Sequence, residues 1–293
     1  MRLVTFSVGK WGPRLGARRA DGAIVDLGAS EPSLPRTMRQ LLEAGEPALE
    51  TARWAAEKPG SITVENATLL APVLDPQKIV CVGLNYRDHA NETKSPIPRE
   101  PVIFNKFPTA LAGPEATIPL PAESTEVDYE AELVAVIGRS VRRCTAAEGL
   151  AAIAGYCCGH DVSARDWQKN KDGKQWLLGK SFDGFAPLGP ELVTADEVGD
   201  AQNLGIRFRL NGETMQESNT SQMIFSLGDL VAYVSQVCTL HAGDLLFTGT
   251  PAGVGVARSP QVFLQPGDLC EVEIDGLGVL RNRCVGDGKP ISG

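Results

Sequence analysis

The chain has 293 residues, 43% of them hydrophobic and 22% charged, and a formal net charge of −8. That length suits one large domain with a small companion, and the acidic balance argues against nucleic acid or an anionic membrane as partner. No apolar run is long enough to span a bilayer, and Met1-Arg2-Leu3-Val4-Thr5-Phe6 reads as a first strand and not as a signal peptide. A cytoplasmic location is therefore expected, with a mitochondrial one left open if a transit peptide is missing. Seven cysteines without C-x-x-C spacing, two of them adjacent at Cys157 and Cys158, read as free buried thiols and not as a zinc site or disulfide scaffold.

In chain order, Leu3 to Val8, Leu15 to Arg19 and Ala23 to Leu27 read as strands, the last two turning at Asp21-Gly22. Helices are expected from Met38 to Ala44 and, opened by Pro47, to about Glu57. Short strands at Ile62 to Val64 and Ala67 to Leu70 precede the punctuation of Pro72 and Pro76. A small domain over 1–72 is expected to end there, leaving 73–293 as the larger unit.

Lys78 to Val82 reads as a buried strand, and the polar stretch Arg87 to Arg99, with Pro96 and Pro98, as a mobile loop with at most one helical turn. Val102 to Lys106 is the next strand, followed by a Gly/Pro-rich meander. Asp128 to Gly138 reads as a strand apolar on both faces. Ala146 to Ile153 should be helical, Tyr156 to Val162 a strand ending on His160-Asp161, and Ser163 to Gln168 the start of a helix. Asn211-Gly212 joins a hairpin of Ile206 to Leu210 and Glu213 to Gln216. Ser226 caps a helix in which Leu227, Leu230, Val231 and Val234 recur at helical spacing. Leu245 to Thr248, Val262 to Leu264, Leu269 to Ile274 and Leu277 to Arg283 finish the chain as strands. Strands outnumber helices and mostly follow one another by hairpins, so the expected class is α+β, mainly β.

The chemistry starts from Glu130 and Glu132. Two residues apart on a strand, they point the same way, and a strand buried on both faces holds them at the mouth of a core. Side by side they repel, and desolvation adds to the cost, so either one is protonated or a cation lies between them. The alternative is an edge strand with a wet first turn. Asp161 closes a neighbouring strand and would complete an all-oxygen set, which selects a hard cation such as Mg²⁺, Mn²⁺ or Ca²⁺ over Zn²⁺; otherwise it caps the helix after it.

His89 and Glu92, three apart, share a face if their segment turns helical, and a carboxylate so placed orients an imidazole as a base. Their bland alternative is two solvated loop residues. Arg165, Gln168 and Lys180 follow Asp161 closely enough to clamp an anionic substrate. Gly249-Thr250-Pro251-Ala252-Gly253-Val254-Gly255 lacks the lysine and spacing of a nucleotide-phosphate loop, and reads instead as a turn offering the Thr250 hydroxyl and backbone amides to a small anion. His160 and His241 carry weaker cases, as a strand and a surface histidine.

Five motifs, in order, resemble the fumarylacetoacetate hydrolase family: Val82-Gly83-Leu84-Asn85-Tyr86, Asp128-Tyr129-Glu130-Ala131-Glu132, Asp161-Val162-Ser163-Ala164-Arg165-Asp166, Gly179-Lys180-Ser181-Phe182-Asp183 and Leu246-Phe247-Thr248-Gly249-Thr250-Pro251. The resemblance spans roughly Pro72 to Cys284 and is closest to the family's domain-containing protein 2 branch. It implies a mixed β roll, usually a homodimer, with Mg²⁺ or Mn²⁺ (or Ca²⁺ in crystals) on Glu130, Glu132 and Asp161. It further implies a lid dyad at His89 and Glu92, a catalytic Lys180, and substrate contacts from Arg165, Gln168, Thr250 and Lys106.

The expected activity is metal-dependent hydrolysis of a C–C bond in a small 1,3-dicarbonyl or 2-oxo acid, of acylpyruvate or fumarylpyruvate type, through a stabilised enolate. Oxaloacetate decarboxylation, or keto–enol tautomerisation or isomerisation of an oxo-diacid at the same centre, is the alternative. Residues 1–72 hold no counterpart of the longer N-terminal domain of the fumarylacetoacetate hydrolases proper, which counts against that compound as substrate.

Overall fold

The strand that carries Glu132 lies inside the largest sheet of the molecule. In the computed structural model, which describes residues 1–287, Ala131–Ile137 is buried at every position and is paired on both edges. One neighbour is Ile153–His160, antiparallel, and the other is Leu245–Phe247, also antiparallel. Leu245–Phe247 in turn runs parallel to Ile79–Gly83, whose far edge is covered by Val102–Lys106. Burial explains why this strand has no polar face: each fully buried Val, Leu or Ile contributes about 1.5–3 kcal/mol relative to exposure.

On the other side the sheet continues through Ala186–Thr194 to the N-terminal strands Arg2–Ser7, Arg14–Arg18, Ile24–Asp26 and Thr63–Val64, making twelve strands with two that branch from the path. Arg2–Ser7 pairs with Ala186–Thr194 (Arg2 with Val193, Leu3 with Leu192), so residues 1–72 are hydrogen-bonded into the sheet that carries the carboxylates. Leu3, Leu15 and Leu41 share one apolar core with Leu133 and Phe247. A five-stranded sheet (Glu213–Asn219, Gly205–Leu210, Leu269–Ile274, Gly278–Asp287, Thr117–Pro121) is the second β layer. Stacking of Tyr129 on Phe208, with centroids 4.5 Å apart, joins the two layers next to the carboxylates. These mixed sheets with few helices make the α+β, mainly β class that was expected.

Strong local signals formed as expected. Thr37 caps Met38–Glu43, Glu46–Glu57 carries its proline in the first turn, and Ser226 with Asp229 makes a complete capping box on Leu227–Val237. Weaker ones did not. The helix expected over Ala146 to Ile153 stops at Leu150, and Ile153 already begins a strand. Ser163–Ala164 pairs with Val127–Asp128 before the short helix Arg165–Lys169, which has no side-chain cap, so Asp161 is not a helix cap. Val262 to Leu264 is irregular, tied to Val127 by one backbone hydrogen bond. Ala186–Thr194, nine residues long, has no counterpart among the expected strands and contains Pro187, Gly189 and Pro190; its pairing is irregular between the pairs Tyr156–Val193 and Cys158–Gly189. All seven cysteines are free. Among the described residues no helix is long and apolar enough to cross a membrane. The end of the expected 73–293 unit, residues 288–293, lies outside the described residues.

Candidate active site

Three strand ends and one short helix converge on the carboxylates. Glu132 is the second residue of Ala131–Ile137, while Glu130 precedes the strand instead of lying within it, its carbonyl accepting from the amide of Asp161 at 2.9 Å. Glu130 thus stands one residue before the strand that was expected to include it. Their oxygens nevertheless meet: one each from Glu130, Glu132 and Asp161 lie within 4.8 Å of one another, all three residues buried.

Charge is distributed unevenly among them. Glu130 accepts from Lys180 Nζ at 2.7 Å and from Arg165 Nη2 at 2.6 Å. Burial opposes its ionisation, but the Lys180 and Arg165 charges overcome that and hold its carboxyl below the usual range. Asp161 takes Lys180 on Oδ2 at 2.8 Å. Glu132 has no cation, only the Gly249 amide at 2.9 Å. Burial, then the charges of Asp161 and Glu130, push its carboxyl well above the usual range.

Asp161 Oδ1 has no hydrogen-bond donor although Lys106 Nζ lies 2.6 Å away. The three hydrogens of that ammonium are spent on the carbonyls of Val162, Lys180 and Phe185, at 3.0, 2.5 and 2.7 Å. An acceptor without a donor beside a carboxylate without a cation is a donor set that a hard divalent ion fits.

The cations are fixed in turn. Arg165 Nε is held by Asp128 at 2.8 Å, and Nη1 donates to Gln168 at 3.0 Å. Asp128 accepts three backbone amides as well, from Tyr129, Gly255 and Val256. Opposite them, Arg87–Glu92 forms the helical turn of the polar segment, and His89 Nδ1 lies 3.1 Å from Glu92 Oε2. The second oxygen of Glu92 accepts from the Gly253 amide at 2.9 Å, so the dyad is tied to the glycine-rich turn. Nδ1 facing a carboxylate leaves Nε2 as the free nitrogen of the ring.

A cavity of about 200 Å³ lies between these groups, lined among others by His89, Glu130, Glu132, Arg165, Gln168, Lys180 and Thr250. Asp161 and Lys106 are not in its wall: both are fully buried behind it. Four neighbours carried no sequence signal of a role. Gln216 receives the Ala131 amide and donates to Thr250 Oγ1 (2.8 Å) and to the Pro251 carbonyl. Trp176 closes the wall edge-on to Phe104, with centroids 5.4 Å apart. Asp128 stood in the expected strand without a function, and Lys169 lines the cavity next to Gln168. His160 is buried against Phe208, and His241 bonds Ser140 at the surface; neither reaches the cavity.

Comparison with known proteins bears on the same residues. The family model described as "Fumarylacetoacetate (FAA) hydrolase C-terminal" matches residues 78–285. A Xenopus laevis protein named oxaloacetate tautomerase fahd2, mitochondrial, is 51% identical over 288 residues, 97% of this chain and 90% of that one. A fumarylacetoacetate hydrolase from psychrophilic Exiguobacterium antarcticum has a TM-score of 0.85 at 33% identity, over 98% of this chain and 99% of its own. A 5-carboxymethyl-2-hydroxymuconate delta-isomerase from Mycobacterium smegmatis superimposes with a TM-score of 0.78 at 35% identity, over 99% and 100%. The curated relative's name favours the tautomerase alternative over the hydrolase expected first, and its mitochondrial designation lends no support to the cytoplasmic expectation.

Proposed function

From the premise that this chain belongs to the fumarylacetoacetate hydrolase family, we propose that it is a divalent-metal-dependent keto–enol tautomerase of a small oxo-diacid, with oxaloacetate the first substrate to test. The observation that carries this reading is one small cavity lined by anionic oxygens, fixed cations and His89, whose ring is held from outside the wall by Glu92. The names of the relatives at about half identity support it.

Glu130, Glu132 and Asp161 would hold Mg²⁺ or Mn²⁺, which when bound supplies a Lewis acid for the 2-oxo acid head. Tautomerisation moves one proton between C3 and the oxygen on C2 and exchanges no other atom. His89 Nε2 is the base that takes the C3 proton and then delivers it to the oxygen on C2, ending neutral as it began, and Glu92 on Nδ1 holds the ring in the tautomer that leaves Nε2 free. Two hydrogens of the Lys180 ammonium are committed to Glu130 and Asp161, so the third is available to the oxygen on C2, where negative charge develops. Arg165 and Gln168 face the substrate carboxylate. Thr250 Oγ1 already accepts from Gln216, so its own hydrogen is free to be donated to substrate. Run in reverse, the same groups return the proton to C3.

C–C bond hydrolysis is the second reading, favoured by the hydrolase structure at 33% identity, and would set the same dyad to activate water. One assay separates the readings. Enol-oxaloacetate is mixed with the Mg²⁺- or Mn²⁺-loaded protein, and enol absorbance, pyruvate and CO₂ are followed, with acetylpyruvate run in parallel and EDTA as control. Metal-dependent loss of enol without pyruvate is the expected result. Pyruvate with CO₂ would establish decarboxylation, and turnover of acetylpyruvate alone would return the reading to hydrolysis.

A further inference from the structure

The short helix Arg165–Lys169 presents three side chains to the cavity, Arg165, Gln168 and Lys169, at the i, i+3 and i+4 spacing of one helix face. The first two are bonded to each other and, through Arg165, to Asp128 and Glu130. Lys169 is different. The other cations of the centre already have protein partners: Arg165 bonds Asp128, Glu130 and Gln168, Lys180 bonds Glu130 and Asp161 with one hydrogen left over, and Lys106 bonds three carbonyls. Lys169 lines the same cavity yet makes no hydrogen bond or ion pair to another described residue. Partial burial, and then the Arg165 charge beside it, lower its affinity for its proton, so an anion entering the cavity would relieve both costs. The remaining wall is apolar at Val82, Phe104 and Trp176 and adds the neutral hydroxyls of Thr93 and Ser95 beside His89, the first of them bonded to the His89 carbonyl, so Lys169 is the charged donor it leaves for a second anionic group.

We propose that Lys169 is the specificity residue for the distal carboxylate of a dicarboxylate substrate, the ammonium that separates oxo-diacids from 2-oxo monoacids in this cavity. The inference rests on the tautomerase reading for its substrate class, but its test is a binding measurement and does not need turnover. Arg165, Gln168, Thr250 and Lys180 would receive the head common to both classes, and Lys169 the group present in only one. Because Lys169 is exposed at the cavity mouth, its replacement leaves the core intact.

The experiment uses a matched pair of non-reacting ligands, malate and 2-hydroxybutyrate, which differ by a carboxylate in place of a terminal methyl. Dissociation constants are measured by calorimetry on the Mg²⁺-loaded full chain, for wild type, Lys169→Met and Lys169→Arg. Wild type is expected to prefer malate about tenfold, the worth of one partly screened charge pair in a half-desolvated site. Lys169→Met should erase that preference by weakening malate alone, and Lys169→Arg should keep most of it. For oxaloacetate the Lys169→Met effect should fall on KM more than on kcat. A wild type without preference, a preference that survives in Lys169→Met, or equal weakening of both ligands would overturn the assignment. If the preference behaves as stated while oxaloacetate is not tautomerised, the subsite stands and the tautomerase reading falls.

Discussion

Lys106 Nζ sits 2.6 Å from Asp161 Oδ1 without donating a hydrogen bond to it. Three carbonyls hold the ammonium from the other side. The pair is an ion contact that leaves one carboxylate lone pair free, inside a cluster where Glu132 has no cation at all. In the metal-free protein, part of the electrostatic cost of the centre is therefore unrelieved.

Metal addition should stabilise the protein measurably. Mg²⁺ or Mn²⁺ at 100 times its dissociation constant is worth about 2.7 kcal/mol by mass action, enough to raise the thermal midpoint. Glu132→Gln and Asp161→Asn should each remove most of that rise. A midpoint in either variant that responds to metal as wild type does would remove the carboxylates from the metal site.

Lys106 was expected to touch substrate, and its position argues for a structural role. Lys106→Met would leave three buried carbonyls without their donor and Asp161 with Lys180 as its one remaining cation, and breaking a buried pair in this way costs about 3–5 kcal/mol. Denaturant unfolding should register that loss, while ligand affinity per folded molecule changes little. A folded variant of normal stability with weakened ligand binding would restore the substrate contact.

The dyad predicts a graded series. His89→Ala removes the base and should lower kcat by roughly 10²–10⁴-fold. Glu92→Gln keeps the shape but loses the charge that orients the ring, and should cost less. Gly253→Ala acts from a distance. Gly253 has φ +105°, and a Cβ there would lie 2.2 Å from the Met215 carbonyl, so the turn must shift and carry away the amide that Glu92 accepts. Its kcat should fall with metal affinity retained.

Gly83→Ala tests the apolar wall. An added Cβ would sit 2.4 Å from the Trp176 ring, which has no flexible end to move aside, so Trp176 must swing relative to Phe104. Weakened ligand binding and altered tryptophan fluorescence are the expected readouts, without loss of the metal response.

Acid stability should depend on His160. Its ring is fully buried on Phe208 with Nε2 unpartnered, and burial, followed by the Lys106 charge, lowers its pKa from 6.5 to about 3. A base held neutral by the fold contributes stability that is complete above its unfolded pKa. That contribution declines as pH falls below about 6.5 toward 3, because the unfolded chain takes up the proton first. At pH 5 the loss is about 2 kcal/mol. His160→Phe should flatten this part of the pH–stability curve, and an unchanged slope between pH 7 and 5 would contradict the assignment.

Much of the centre could be read along the chain because its parts are local. Glu130 and Glu132 announce themselves as charges at the head of an apolar run, His89 and Glu92 as a pair at helical spacing, and Arg165 and Gln168 likewise. What stayed hidden depends on non-local pairing. Ala186–Thr194 is a central strand despite two prolines, because neighbours on both sides supply the hydrogen bonds that local propensity argues against. Gln216 looks like an ordinary strand residue until the sheet places it between the Ala131 amide and the Thr250 hydroxyl.

By itself the sequence determined which residue types this protein has to work with: a mainly β chain, two carboxylates crowded at the head of an apolar run, a histidine three residues from a glutamate, and motifs in the order of one family. Those follow from spacing and composition, which act within a few residues. The tertiary structure decided which groups meet. It sank Lys106 beside Asp161, tied Glu92 to the Gly253 amide, and left the Lys169 ammonium lining the cavity, because burial and the sharing of hydrogen bonds are set by segments far apart in the chain.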